Sequence, residues 1–154
     1  MRPFPSLSVE DNVLIGALLH AKDFAEALET AHQAIWQLDL FAKLRQPASA
    51  LPLPDRKRLE LARALATRPK LLLLDEVMAG LRPTEAEQMA AVLRELNRTT
   101  GVTILLTEHV MRAVMALASR ILVLHHGAAI AEGTPEEVVR DPAVIQSYLG
   151  AEAL

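Results

Sequence analysis

Two short apolar runs end abruptly in side chains that can do chemistry, and they constrain the fold more than any other feature. One run of four leucines leads into Asp75-Glu76, and a second, beginning at Ile104, leads into Glu108-His109. Strands of a parallel sheet read as continuous apolar runs because helices cover both faces of the sheet. Ligands bind beyond the carboxyl ends of such strands. The two runs therefore predict parallel strands with a functional site at their shared edge.

The composition suits one α/β domain. The chain has 154 residues, of which 51% are apolar and only 3% aromatic, enough for a core of helices packed on a sheet. The net charge of −3 predicts no non-specific attraction to nucleic acid. The basic run Arg56-Lys57-Arg58 is flanked by Asp55 and Glu60, so we interpret it as a solvated helix face.

Several absences narrow the class of protein. The chain has no cysteine, which excludes disulfides and thiolate metal sites. No apolar stretch approaches the roughly 18 residues needed to span a bilayer, and residues 1–6 lack the apolar core of a signal peptide. We therefore expect a soluble protein with no direct membrane insertion, whose role at a membrane requires a partner.

The first half of the chain reads as helical. Ser8 can cap a helix over Val9–Leu19, and a second helix is predicted over Asp23–Leu38. Pro54 fits the first position of a third helix, Asp55–Thr67, because its missing N–H has no helical partner there. The buried stripe of that helix is predicted at Leu59, Ala62, Leu65 and Ala66.

From Pro69 onwards the pattern alternates between strands and helices. Gly101 is predicted to end the helix that starts at Pro83, and His126-Gly127 is predicted to form a hairpin turn. Thr134 should cap a further helix through a capping box. The predicted elements are strand Lys70–Asp75, helix from Pro83, strand Thr103–Thr107, helix Met111–Ala118, strand Arg120–Leu124, strand Ala128–Ala131, and helices after Thr134 and Asp141-Pro142.

The strand ends carry groups suited to nucleotide hydrolysis. One carboxylate can hold Mg²⁺ while another group orients and deprotonates the attacking water, and Asp75 and Glu76 can fill these roles. His109 can sense a phosphate group. Each of these features alone also has a structural interpretation. Asp75-Glu76 can be a strand end followed by a capping loop, and His109 can be a structural histidine.

The order and spacing of several segments resemble a known family. The segments are Leu59–Ala66, Pro69–Glu76, Ala79–Thr84 and Thr103–His109, with Phe4–Val13 in front and Ile130–Glu137 and Tyr148-Leu149-Gly150 at the end. Together they resemble the ATPase subunits of ABC transporters, and in particular those of branched-chain amino-acid importers. The resemblance implies part of a P-loop NTPase fold: a helical subdomain followed by an incomplete parallel sheet with flanking helices.

The resemblance also implies roles for individual residues. Asp75 would be the Walker B aspartate, acting on Mg²⁺ through water, Glu76 the general base, and His109 the switch histidine. The D-loop, Ala79-Gly80-Leu81-Arg82, would touch the opposite subunit. The altered signature loop would be Leu51-Pro52-Leu53-Pro54-Asp55.

The family's organisation carries over as a set of expectations. Residues 1–68 would form the helical subdomain with the signature loop and following helix, 69–133 the second half of the ATPase core, and 134–154 the C-terminal helices. The helical subdomain, residues 7–50, would dock on integral-membrane permease subunits. ATP and Mg²⁺ are the implied cofactors, and a second ATPase subunit is the implied partner. The implied location is the cytoplasm, peripheral on the inner face of the cell membrane.

Two departures from the family's pattern affect the expected activity. None of the six glycines is followed by lysine, so the chain contains no Gly-x-x-x-x-Gly-Lys-Ser/Thr phosphate loop. Pro52 and Pro54 stand where the family's signature offers N–H groups to phosphate. Val77 and Arg82 are milder differences.

These departures favour three hypotheses for the function of the chain. The first is a truncated importer ATPase that is inactive alone. The second is a non-enzymatic module that binds a permease or an intact ATPase. The third is one half of a split ATPase, whose other half supplies the phosphate loop.

Other candidate residues have simpler interpretations. His125-His126 is predicted to be a turn rather than a metal site, since adjacent strand residues point to opposite faces. Trp36 fits either the core of the helical subdomain or its permease-facing edge. The methionines Met78, Met89, Met111 and Met115 are predicted to fill the core.

Overall fold

The computed structural model describes residues 3–148. The chain divides into two compact units, one as far as Val110 and the other from Met111. The helices are α1 Val9–Ala17, α2 Phe24–Gln37, α3 Leu53–Leu65, α4 Pro83–Thr100, α5 Met111–Leu117, α6 Pro135–Arg140 and α7 Pro142–Tyr148. The strands are β1 Leu71–Asp75, β2 Thr103–Thr107, β3 Ile121–His125 and β4 Ala128–Gly133.

The element order agrees with the prediction: helices come first, and alternating strands and helices follow. Leu149 and Gly150 of the predicted ending lie outside the described residues. The boundaries predicted after residues 68 and 133 stay a prediction. Within residues 3–148, no helix is both long enough and apolar enough to cross a membrane.

Helix α1 starts where the sequence predicts and ends earlier. Ser8 Oγ accepts a hydrogen bond from Asp11 N at 3.0 Å, which confirms the predicted cap. The helix ends at Ala17, two residues before the predicted end. Leu19 N donates to Gly16 O at 3.3 Å, an i to i−3 bond that tightens the last turn and stops the helix.

Helix α3 begins at Leu53, two residues before its predicted start. Pro52 is the N-cap, and Pro54 occupies the second helical position rather than the first. The reason for the prediction still applies, because the N–H groups of the whole first turn lack intrahelical partners. The predicted stripe is confirmed, since its members are all buried: Leu59, Ala62, Leu65 and Ala66.

The helical part of the first unit exposes large apolar side chains. Trp36 is 74% exposed and Phe24 is 63% exposed, both on α2. Leu19 and Phe41 are also exposed. Of the two predicted positions for Trp36, the structure excludes the core.

Strands β1 and β2 form a parallel pair that places their carboxyl ends together. Leu71 lies opposite Thr103, and Asp75 lies opposite Thr107. The bounds of β2 are those predicted, and β1 begins one residue later than predicted. Helix α4 connects the strands and ends at Gly101, whose φ of 70° confirms the predicted left-handed C-terminal glycine.

The second unit contains a hairpin with two short helices. Strands β3 and β4 are antiparallel and enclose the turn at His126-Gly127. Thr134 caps α6 as predicted, with Glu137 Oε2 accepting from Thr134 N at 2.8 Å. The core of this unit consists of Ile121, Val123, Val138 and Val144. Strand β4 extends two residues beyond its predicted end, to Gly133.

Two side-chain predictions need correction. The predicted turn is confirmed at His126-Gly127, but the two histidines do not point to opposite faces. The ring centroids of His125 and His126 lie 4.1 Å apart, because His126 has left the strand and has a φ of 48°. Met78 and Met89 are buried as predicted, whereas Met111 is exposed. Met111 is the first residue of α5, where fewer elements can cover it.

Replacing Gly16 by alanine should destabilise the first unit. A Cβ atom at Gly16 would overlap the main-chain Arg63 O of α3, which cannot move away as a flexible side chain can. We expect Gly16→Ala to lower the free energy of unfolding by about 1–3 kcal/mol. Urea unfolding of the whole chain, followed by circular dichroism, measures the change.

Gly101 provides the matched control. A Cβ there meets no atom within 4 Å, and asparagine tolerates the left-handed conformation. Gly101→Asn should therefore cost under about 1 kcal/mol. Equal midpoints of urea unfolding for Gly16→Ala and Gly101→Asn would disprove the close packing of α1 on α3.

Candidate active site

The predicted metal-binding carboxylate lies at the edge where β1 and β2 end. Asp75 is the last residue of β1, and Thr107 is the last residue of β2. The hydroxyl of Thr107 donates a hydrogen bond to Asp75 Oδ1. This bond orients the carboxylate and leaves its second oxygen available.

Glu76 follows in an unusual backbone conformation. Its φ is 46°, in the left-handed region, where a residue other than glycine costs about 1–3 kcal/mol and persists only if its surroundings fix it. Glu76 N donates to Thr107 O at 2.9 Å. Lys57 Nζ of α3 donates to Glu76 O at 3.3 Å. Both peptide groups of Glu76 are thus held by neighbouring elements.

The structure brings the predicted base and the predicted switch histidine together. His109 Nδ1 lies 3.6 Å from Glu76 Oε1, and the two side chains are 68% and 60% exposed. This distance is longer than a hydrogen bond, so the two side chains are adjacent without being bonded to each other. The pair is open to a substrate.

The predicted D-loop forms the turn between β1 and α4. Ala79 N donates to Glu76 O at 3.1 Å, and Leu81 N donates to Met78 O at 3.1 Å. Gly80 has a φ of 78°, which glycine adopts without steric cost. Arg82 ends the turn as the N-cap of α4.

Exposed Arg82 forms an ion pair with the mostly buried side chain of Glu85 at the start of α4. The side-chain hydrogen bond between them, 2.6 Å from Arg82 Nη2 to Glu85 Oε1, lowers the pKa of Glu85 and raises the pKa of Arg82. Glu85 Oε2 also accepts from Arg82 N at 2.9 Å. The arginine therefore remains charged at the surface of the predicted D-loop.

The predicted signature loop is built differently from an anion site. Leu51 is buried, and Pro52 caps α3 without a side-chain hydrogen bond. Pro54 has no N–H to offer. Asp55 is buried and accepts a hydrogen bond from Lys43 Nζ. A carboxylate in the first helical turn disfavours a bound phosphate there.

The signature and D-loop segments contact each other within this unit. A Cβ built on Gly80 would lie 3.2 Å from Leu53 Cδ2. The leucine side chain thus packs on the main chain of the turn. The φ of 78° favours glycine at this position, and the Leu53 side chain leaves little room for a Cβ atom there.

The donor set at this edge fits Mg²⁺ bound together with a nucleotide. The Asp75 and Glu76 carboxylates and the Thr107 hydroxyl are hard oxygen donors. Residues 3–148 contain no cluster of three or more His, Cys, Asp or Glu side chains that could hold a metal. Mg²⁺ commonly binds one or two carboxylates and completes its coordination with phosphate oxygens and water.

Sequence reasoning missed two groups at the site. Lys57 was interpreted as part of a solvated face, yet it contacts Glu76 O. Glu108 was noted only as part of a run, yet its Oε1 accepts from Met78 N at 2.7 Å. Two features of the sequence could have indicated these residues. One is the position of Lys57 around the helix, and the other is that Glu108 directly precedes His109.

Comparison with known families gives two matches. The sequence profile of a family described as "ABC transporter" matches residues 1–79. A second, described as "Branched-chain amino acid ATP-binding cassette transporter", matches residues 130–153.

Similar curated proteins carry related descriptions. The high-affinity branched-chain amino acid transport ATP-binding protein LivG of Salmonella typhimurium is 41% identical over 126 residues, covering 82% of this chain and 49% of LivG. LivG of Escherichia coli is 36% identical, covering 97% of this chain and 65% of that protein. BraF of Pseudomonas aeruginosa, described in the same words, is 40% identical, covering 81% of this chain and 49% of BraF. The chain thus spans about half to two thirds of the length of these relatives.

Solved structures confirm the predicted fold class. CbiO1 from Clostridium perfringens, part of the ABC transporter complex cbiONQ, superimposes with a TM-score of 0.84 at 27% identity, covering 97% of this chain and 60% of that one. The ADP conformation of an ATP-binding cassette of an ABC transporter gives a TM-score of 0.81 at 28% identity, covering 95% and 64%. The predicted α/β fold of an ATP-binding cassette is therefore shared with proteins of known structure.

Proposed function

The chain belongs to the ABC transporter family, and on this basis we propose that it forms the hydrolytic part of an ATP-binding subunit of a branched-chain amino-acid importer. The approach of Glu76 to His109, beside Asp75 at the end of β1, carries the proposal. The LivG and BraF relatives support the solute class.

Each group has a distinct role in the proposed hydrolysis. Glu76 accepts the proton of the attacking water through its carboxylate. His109, next to Glu76 Oε1, orients the water or the phosphate by hydrogen bonding. Asp75 would hold Mg²⁺ through water, and the hydrogen bond from Thr107 fixes the rotamer of Asp75. When bound, Mg²⁺ supplies neutralisation of phosphate charge.

The phosphate loop of the proposed site must come from outside these 154 residues. The sequence contains no such motif, and the start of α3 offers two prolines and a buried carboxylate instead of a cradle of N–H groups. Backbone N–H groups and a lysine are what bind the phosphates in this kind of site. We therefore infer that the chain alone does not turn over ATP.

The exposed apolar side chains of the helical part support docking on a permease. Trp36, Phe24 and Leu19 lie on the surface there, and aromatic residues are enriched where proteins bind each other. The charged Arg82 on the D-loop supports contact with a second ATPase subunit. The proposed location is the inner face of the cell membrane, reached through the permease.

A fusion protein tests the proposal. The part of Escherichia coli LivG that lies outside the 65% shared with this chain is joined in front of the full chain, to supply the phosphate loop. We expect ATP turnover by the fusion and none by the chain alone. Replacing the phosphate-loop lysine in the LivG part by alanine should abolish turnover. A folded fusion without activity would refute the proposed hydrolytic role.

A second candidate is a non-enzymatic subunit that binds the permease without supporting hydrolysis. The two prolines at the start of α3 favour it, because they remove N–H donors without affecting the exposed surface of α2. In that case the chain should co-purify with the permease of its importer, and the Trp36→Ala variant should not. An inactive fusion together with retained permease binding would select this candidate.

A further inference from the structure

We propose that Glu108 is a positioning residue: it holds the turn after Glu76 and so keeps the carboxylate of Glu76 beside His109. The contact that carries the proposal is the hydrogen bond from Met78 N to Glu108 Oε1, 2.7 Å long. The catalytic consequence rests on the proposed function, whereas the contact itself does not.

The first step concerns the strained backbone of Glu76. Its left-handed φ of 46° persists only because neighbouring groups fix the chain on both sides. On the N-terminal side, Glu76 N is bonded to Thr107 O at 2.9 Å. On the C-terminal side, Glu108 Oε1 accepts a hydrogen bond from the main-chain N–H of Met78, two residues after Glu76.

The second step concerns the geometry of the two strand ends. Thr107, Glu108 and His109 are consecutive, and they face Asp75, Met78 and Glu76 respectively. The segment after β2 therefore contacts the segment after β1 at three successive residues. Glu108 is the middle one, so its loss would free the turn while leaving the Thr107 contacts in place.

The third step concerns why a carboxylate stands there. Glu108 Oε2 is buried and has no hydrogen-bond partner within the described residues. A buried carboxylate oxygen without a partner lowers stability, so fold stability alone does not favour glutamate here. What Glu108 contributes to the site is the oxygen atom Oε1, which accepts the hydrogen bond from Met78 N. Glutamine offers the same acceptor without the charge, and alanine removes it.

Amide hydrogen exchange on the full chain tests the contact. In Glu108→Ala, exchange at the Met78 amide should become at least roughly tenfold faster, because the hydrogen bond to Glu108 Oε1 is lost altogether. In Glu108→Gln it should stay within about threefold of the wild-type rate, since the acceptor remains. Unchanged exchange in Glu108→Ala would overturn the proposal.

Steady-state kinetics on the LivG fusion test the consequence. Glu108→Ala should lower kcat roughly tenfold with the KM for ATP unchanged, because a displaced base slows the chemical step rather than binding. Glu108→Gln should restore kcat to within about threefold of the wild-type value. Faster Met78 exchange with an unchanged kcat would overturn the positioning role. A wild-type fusion without turnover would refute the proposed function, and the exchange rates would still decide whether Glu108 holds Met78.

Discussion

The Glu76→Gln variant of the LivG fusion should lose ATP turnover by about 10²–10⁴-fold in kcat, the usual contribution of a general base. Glutamine has the shape of glutamate but cannot accept the proton of the attacking water. The main-chain bonds from Glu76 N to Thr107 O and from Lys57 Nζ to Glu76 O do not involve the side chain. The backbone of the site should therefore be unchanged, and the KM for ATP with it. Phosphate release at saturating ATP measures the loss.

Glu136→Gln is the matched control for this change. Glu136 is an exposed residue in the first turn of α6, so the same chemical replacement should leave kcat within about twofold. If Glu76→Gln retained more than a third of the wild-type kcat, Glu76 could not be the base. The assignment would then pass to another group at the strand edge.

The second large effect is expected from Asn12→Ala in the first unit. The Asn12 side chain is fully buried, with 0% exposure. Its Oδ1 accepts from Phe4 N at 2.8 Å. Its Nδ2 donates to Phe4 O at 3.0 Å, Leu7 O at 3.2 Å and Ser8 O at 2.9 Å. Because the amide nitrogen carries only two hydrogens, these contacts amount to about three full hydrogen bonds. At about 1 kcal/mol for each bond, we expect the free energy of unfolding to fall by about 3 kcal/mol.

Asn97→Ala provides the comparison, because it makes the same replacement with a single contact. Asn97 lies on the exposed side of α4, and its Nδ2 donates to Val102 O at 2.8 Å. We expect Asn97→Ala to lower the free energy of unfolding by about 1 kcal/mol or less. Urea unfolding monitored by circular dichroism distinguishes the two. Equal shifts in midpoint would show that the Asn12 contacts add nothing beyond an ordinary surface hydrogen bond.

The elements that the sequence predicted well are those determined by local interactions. Ser8 and Thr134 cap their helices through hydrogen bonds to residues three positions on. Gly101 ends α4 because only a residue tolerant of positive φ fits there. The strand runs also placed Asp75, Glu76 and His109 correctly at one edge, because the register of a parallel pair aligns the strand ends.

The parts that the sequence did not reveal depend on contacts between distant segments. Met78 and Glu108 are 30 positions apart, and Lys57 and Glu76 are 19 apart. No periodicity records which main-chain atom a side chain will meet. The requirement for glycine at Gly16 arises from α3, far along the chain, and the sequence around Gly16 reads as an ordinary helix.

The exposure of Trp36 has a practical consequence. It is the only tryptophan in the chain, and at 74% exposure its indole is surrounded mostly by water. Its fluorescence therefore comes from a single position on α2, with no background from other indoles. A partner that covers this surface would move the ring from water into an apolar environment and shift its emission to shorter wavelength. The chain thus contains its own optical reporter for the arrival of a partner on its helical part, with no added dye.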